Sequence, residues 1–268
     1  MNQIRKGRFV FTMFLLGGLM MFSGCAKDAV QPRTTTYSLK VKDVLGVLGT
    51  VTFVETNPAV TTVNITLTGA EAGIHPAQLC MNTVVEGGNV KVILNPVGVD
   101  GKSSTAINNM SYATLIAYDG YIKVLQSDQD ANIILAEGDI GGNVLTNANK
   151  TYDLATMGTF GVTGKALFEQ RLNGNTLVTI TMNGLLPGDK YDASINLGSI
   201  ASIGGGPVVK TLNNVDGTTG KSFTNITELN SKIAITYDNW LVYDGYINIY
   251  QSKVSDGTVI SHGNIGSN

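Results

Sequence analysis

Histidine is almost missing from this chain of 268 residues, with only His75 and His262. No Ser/His/Asp arrangement stands out around either, so hydrolysis by a histidine-assisted nucleophile has no support. Cysteine is equally scarce. Cys25 and Cys80 cannot form a disulfide framework. Charged residues make up only 14%, and 18 basic against 20 acidic side chains give a net charge of -2. That balance shows no footprint for nucleic acid. The one long apolar run, Phe9 to Phe22, is too short to span a bilayer comfortably.

What the chain has instead is glycine, 32 residues of it, and 43% apolar content. This mix suits many short strands and tight turns, with enough apolar surface to form cores. Two stretches carry the same internal pattern. Tyr118-Asp119-Gly120-Tyr121-Ile122 leads through Gln126-Ser127 to Gly138-Asp139-Ile140-Gly141-Gly142-Asn143. Tyr243-Asp244-Gly245-Tyr246-Ile247 leads through Gln251-Ser252 to Gly263-Asn264-Ile265-Gly266-Ser267-Asn268. Earlier positions repeat too, with Thr36-Tyr37 matched by Thr151-Tyr152, and Gly49 to Phe53 by Gly164 to Phe168. We expect two related domains, 36–145 and 150–268. The spacing of the copies grows along the chain, which predicts insertions near residues 189 to 215 and from Ser222 to Asn230.

The strand signals are local. Val63, Ile65 and Leu67 alternate with Asn64, Thr66 and Thr68, which puts the apolar three on one sheet face. Gly73-Ile74-His75-Pro76 reads as the start of an irregular connection, and Asn95-Pro96 as the end of the strand from Val90. Tyr121 to Leu125 and Asn132 to Ala136 read as the last two strands of the first copy. Cys80 reads as a small buried residue, with a reactive or intermolecular thiol as the lesser reading.

The N-terminus has the layout of a secretory signal, residues 1–24, with Arg5, Lys6 and Arg8 ahead of the apolar run. Ser23-Gly24-Cys25 resembles the lipobox of bacterial lipoproteins. That resemblance implies cleavage before Cys25 and acylation of it by diacylglycerol and an N-acyl (palmitate-type) chain. It makes residues 25–35 a short tether and outer-membrane lipid a partner. Several acyl chains give a stable anchor, at about 0.8 kcal/mol per buried methylene. A soluble exported protein with an incidental Cys25 is the alternative.

Leu67-Thr68-Gly69 with Gly73-Ile74-His75, and the closing Gly-x-Ile-Gly of Gly138 to Gly141 and Gly263 to Gly266, resemble the copper/zinc superoxide dismutase fold and the related CHRD domains. The resemblance implies an all-β protein of two tandem antiparallel Greek-key β-sandwiches. It does not carry the enzyme's metals with it. His75 falls near that family's metal-binding segment, but the neighbouring imidazoles are absent, and the second copy has Lys190, Tyr191 and Asp192 there. His262 aligns with Glu137. A copper/zinc site needs several imidazoles together, so dismutation is not expected and no metal or other cofactor is assigned.

Trp240 and Tyr243 are the candidate ligand platform, with core packing the simpler reading of Trp240. Asp128 and Asp130 suggest a solvated turn more than a cation site, and Tyr118-Asp119-Gly120 and its copy suggest local turns. No catalytic residue is assigned. The expectation is a non-enzymatic, lipid-anchored outer-membrane protein, facing the periplasm or the surface, that binds an envelope protein or a glycan. A glycan-directed hydrolase with two carboxylates about 5 to 9 Å apart and an envelope assembly subunit are the alternatives.

Overall fold

The computed structural model describes residues 31–201, 205–252 and 257–268. The signal, the apolar run and Cys25 lie outside the described residues. Pro32 to Asn268 form one compact unit, built from two all-β halves. The first half contains β1 (Thr34–Val41), β2 (Leu48–Asn57), β3 (Val60–Thr68), β4 (His75–Met81), β5 (Val90–Val97), β6 (Lys102–Ile107), a short helix α1 (Tyr112–Ile116), β7 (Gly120–Leu125) and β8 (Ile134–Ile140). A single 3₁₀ turn at Gly141–Asn143 leads directly into the second half. There follow β9 (Leu145–Thr156), β10 (Thr163–Arg171), β11 (Thr176–Asn183), β12 (Lys190–Leu197), β13 (Val208–Asp216), β14 (Lys221–Ile226), a short helix α2 (Tyr237–Leu241), β15 (Asp244–Tyr250) and β16 (Val259–Gly266).

The two halves share one topology. The first is an antiparallel sheet in the order β5-β4-β7-β8-β1-β2-β3-β6. The second runs β10-β11-β14-β13-β12-β15-β16-β9 and closes into a barrel. Matching strand for strand, the orders are the same, with Greek-key crossovers from β3 to β4 and from β11 to β12. They differ only at the seam between β5 and β6. In the second half a single residue pair, Asp216 with Lys221, closes it. In the first the edges are stitched by side chains: Asn95 Nδ2 donates to Ser104 O at 2.6 Å and Thr105 Oγ1 accepts from Asn95 N at 2.8 Å. Asn213 makes the same two bonds, to Phe223 O and from its backbone to Thr224 Oγ1, in the second half. The duplication therefore extends to individual hydrogen bonds.

Each half has its own core. Val63, Ile65 and Leu67 point inward as their alternation predicts, joining Leu39, Val51, Phe53, Leu79, Leu115 and Ile122. The second core gathers around Phe168, Ile180, Ile195, Trp240 and Ile247. The short helices are absent from the sequence reading, because five residues carry no 3.6-residue period to detect. Each starts at a cap. Ser111 accepts from Thr114 N, and Thr236 with Asn239 forms a capping box. Each then drops one large side chain into its core, Leu115 in the first and Trp240 in the second, both 0% exposed.

Two local expectations are corrected. His75-Pro76 begins β4 rather than an irregular connection, and β5 continues through Pro96. The β4/β5 ladder shifts register between His75 and Ala77, and Pro76 and Pro96 both sit at that irregularity. A bulge needs no amide hydrogen from either proline. The largest insertion lies between β14 and α2. Ile107 to Ile226 is an offset of 119 and Tyr112 to Tyr237 one of 125, so the second half gains six residues there.

The repeated Gly-x-Ile-Gly-x-Asn pattern has a steric cause. Gly141 and Gly266 both have positive φ, 59° and 68°. A β-carbon would lie 2.5 Å from the Tyr118 carbonyl oxygen in the first half and 1.9 Å from that of Tyr243 in the second. The Asn then clasps two strand ends. Asn143 Nδ2 donates to Asn82 O at 2.7 Å and Gly120 O at 3.3 Å. Asn268 Nδ2 donates to Gly198 O and Gly245 O, both at 3.1 Å.

The halves meet by corresponding ends. Across the junction Leu172 N donates to Val144 O at 2.9 Å, Asn173 N to Gly142 O at 3.2 Å and Asn225 N to Glu86 Oε1 at 2.7 Å. The β10–β11 turn and the end of β14 thus sit on the β4–β5 loop, the α1–β7 turn and the end of β8. The opposite ends, carrying Leu45 in one half and Phe160 in the other, face away from each other.

Gly141→Ala and Gly266→Ala should each cost about 1–3 kcal/mol, since backbone must shift and the residue must hold a left-handed conformation. Urea midpoints of the two variants check this. A second expectation concerns acid. Asp216 is held down at about 2, chiefly by Lys190 and then by the amides of Thr219 and Thr218. Its contribution is present above the ordinary carboxylate range and is lost as pH falls from about 4 towards 2. Stability measured across that window should be flatter in Asp216→Asn.

Candidate functional site

A groove of about 620 Å³ is lined by β1, β8, the β4–β5 loop and the start of β9. Its base is the β1/β8 pair, where Lys40 faces Glu137 and Val41 faces Ala136. The contact continues through Lys42 N to Leu135 O and Asp43 N to Ile134 O. Val84 and Val85 of the β4–β5 loop form one bank, with Val144 and Leu145 beside them. Val41, Val85 and Leu145 remain exposed at 38%, 43% and 38%. The floor includes Tyr37, whose ring packs edge-on against Phe53 and whose hydroxyl burial pushes up in pKa.

The polar part of the groove is an ion pair. Glu137 is 7% exposed, and Lys42 Nζ meets its Oε1 at 2.8 Å. That bond holds the Lys42 ammonium above its usual range against a smaller opposing effect of burial. Lys40 stands exposed on the rim, and Asp139 turns inward to accept from Val84 N at 2.8 Å. The arrangement offers an aliphatic trough with one fixed charge pair and a loose lysine. It suits binding an extended, partly apolar segment.

The end of the first half that holds His75 is a separate place. His75 is 6% exposed. Its Nδ1 lies 2.7 Å from Gln126 O and its Nε2 3.0 Å from Glu71 O. Each ring nitrogen faces a carbonyl oxygen, so neither points into open space where a metal ion would sit. The side chain ties the β3–β4 loop to the β7–β8 hairpin. At the equivalent position of the second half stands buried Tyr191, whose hydroxyl accepts from Leu186 N at 2.9 Å. Among the described residues no group of three or more His, Cys, Asp or Glu is placed to hold a metal ion.

The other residues singled out from the sequence are dispersed. Trp240 is wholly buried, against Phe168 at 6.1 Å and Tyr243 at 4.9 Å between ring centres. Its indole offers no open face to a ligand, and Tyr243 is half-buried as its neighbour in the core. His262 sits on β16 opposite Ala155, as Glu137 sits opposite Lys40. Asp130 folds back on its own hairpin, its backbone amide donating to Ser127 Oγ at 3.0 Å. Cys80 is fully buried, and that burial pushes its thiol up. Cys25 lies outside the described residues. No helix among those residues is long and apolar enough to cross a membrane.

The residues that sequence reasoning missed lie at the junction. Arg171, 1% exposed, donates from Nη1 to Asn143 Oδ1 at 2.7 Å and to Asn143 O at 3.3 Å. Asp119, read as a local turn residue, accepts from Asn225 Nδ2 of the other half at 3.3 Å. Its repeat counterpart Asp244 instead accepts from Asn268 at 2.9 Å. The two Tyr-Asp-Gly copies therefore do different work, which the sequence gives no means of seeing.

Compared with protein-family models, curated proteins and solved structures, the chain has no match in any of the three.

Lys42→Met should strip Glu137 of its ion partner. Because Lys42 is about half exposed the pair is screened, and the loss should be about 1–2 kcal/mol. Chemical denaturation of the variant against wild type measures it.

Proposed function

We propose that the protein is a lipid-anchored envelope protein that works by binding, without catalysis, and that the groove lined by β1, β8 and the β4–β5 loop is where it holds its partner. The reading joins three supports. Ser23-Gly24-Cys25 supplies the lipobox-like anchor. The tandem Greek-key halves, similar to the superoxide dismutase and CHRD pattern, supply a stiff carrier with its loops and seams free. The groove supplies the contact, and it is the observation that carries the proposal.

Its lining favours a protein over a glycan. The banks are valine and leucine, and the chain's one tryptophan is inside the second core. An extended peptide with alternate apolar side chains fits such a trough better than a sugar, and Lys40 adds a preference for an acidic residue beside it. Thr36, Tyr37 and Ser38 line the groove a few residues beyond the tether. At no more than about 3.5 Å per residue, the tether keeps a bound partner close to the lipid surface.

Capture from intact envelopes by the lipidated protein tests this, with Val41→Asp/Val85→Asp as the groove variant. Wild type should recover a protein that the variant loses at least tenfold. Equal recovery by both would contradict the groove. A glycan-array signal abolished by the same substitutions would contradict a protein partner. Cys25→Ser should move the protein from the membrane to the soluble fraction, and unchanged membrane association would contradict the anchor.

A further inference from the structure

Arg171 ends β10 at the irregularity where the β9/β10 register shifts. It is among the largest fully buried side chains in the protein. Among the described residues only Nη1 has a partner, Asn143 of the first half, while Nε and Nη2 have none. Three carboxylates of the first half face it electrostatically: Glu86 from the β4–β5 loop, Asp119 from the α1–β7 turn and Asp139 from β8. Glu169, on its own strand, is the fourth. Among the described residues none of them is in direct ion-pair contact with it.

The carboxylates are not idle. Glu86 accepts from Asn225 N at 2.7 Å and from Thr83 Oγ1 at 2.9 Å. Asp139 accepts from Val84 N, and Asp119 Oδ2 from Asn225 Nδ2. Asp119 Oδ1, however, is buried without a partner, as are Thr176 Oγ1 and Asn225 Oδ1 nearby. One guanidinium thus stands against more negative charge than it neutralises, in a place that water reaches poorly. A buried cluster in that condition is relieved most cheaply by taking up a proton.

We propose that this junction is a proton-sensitive latch: the two halves dock most tightly when one of the first half's junction carboxylates holds a proton, and the docking loosens as that proton leaves. The direction of each shift agrees with the geometry. Burial pushes both Asp119 and Asp139 up; Arg171 pulls Asp119 back only part of the way, as the Val84 amide and then Arg171 do for Asp139. Burial likewise raises Glu169 on the other side. Opening the junction would return these groups to water and to the ordinary carboxylate range, about 4. The docked state therefore binds more protons than the open state between that value and the raised ones. Docking must then weaken as pH rises through the window, by at most tenfold per pH unit for one linked proton. Asp119 and Asp139 face the same guanidinium and are coupled through their charges, so the latch titrates as a pair.

The test uses hydrogen exchange on the full chain from pH 4 to 8, corrected for intrinsic rates, at the cross-junction amides of Leu172, Asn173 and Asn225. Their protection should fall with rising pH while core amides such as that of Ile65 hold theirs. The double variant Asp119→Asn/Asp139→Asn keeps the acceptors and removes the charge, and should cut the pH slope of junction protection to the part that Glu169 leaves. Junction protection in wild type that is independent of pH overturns the latch. So does a folded double variant that keeps the wild-type slope. Should the double variant fail to fold, the wild-type profile alone still decides.

Discussion

One buried amide holds the architecture together. Asn143 is 0% exposed and uses both ends of its side chain. The nitrogen grips the carbonyls that end β4 and begin β7, which fixes the closed end of the first half. The oxygen receives Arg171 and so fixes the second half to the first. Its loss would leave two buried carbonyls and more of a buried guanidinium without partners, and each such group costs about 1–3 kcal/mol or more. Asn268 repeats the inward half of this arrangement on Gly198 and Gly245. The same device closes each half, and at Asn143 its outer face also serves docking.

Burying a guanidinium among carboxylates is poor evidence of stability in itself, because desolvation offsets most of the attraction. What it contributes here is register. Arg171 can satisfy Nη1 only where Asn143 presents both its oxygen atoms, and Asn225 meets Glu86 and Asp119 only in the same docking pose. The junction therefore selects one arrangement of the halves.

Much of this was legible in the residues, and for identifiable reasons. The duplication shows because Gly138, Gly141 and their copies stand where a β-carbon would strike backbone, so the pattern is fixed by sterics. The alternation of Val63, Ile65 and Leu67 shows because one face is core and the other solvent. β4 was hidden by Pro76, since a proline at a bulge looks in sequence like a strand breaker. The junction was hidden more deeply. Glu86, Asp119, Asn143, Arg171 and Asn225 are far apart in the chain, and each has a bland local reading as turn, cap or strand-end residue. The groove was hidden for a different reason, because its lining comes from β1, β8, the β4–β5 loop and the start of β9, which are far apart in the chain.

The central claim is that two copies of one unit are docked by corresponding ends in a single pose. Distance distributions between spin labels at Leu45→Cys and Phe160→Cys, in a Cys25→Ser background that leaves buried Cys80 in place, test it most directly. The account predicts one narrow peak, well beyond the roughly 26 Å length of one eight-residue strand, because the two tips point away from the junction. A broad distribution, or a peak shorter than that length, would contradict it.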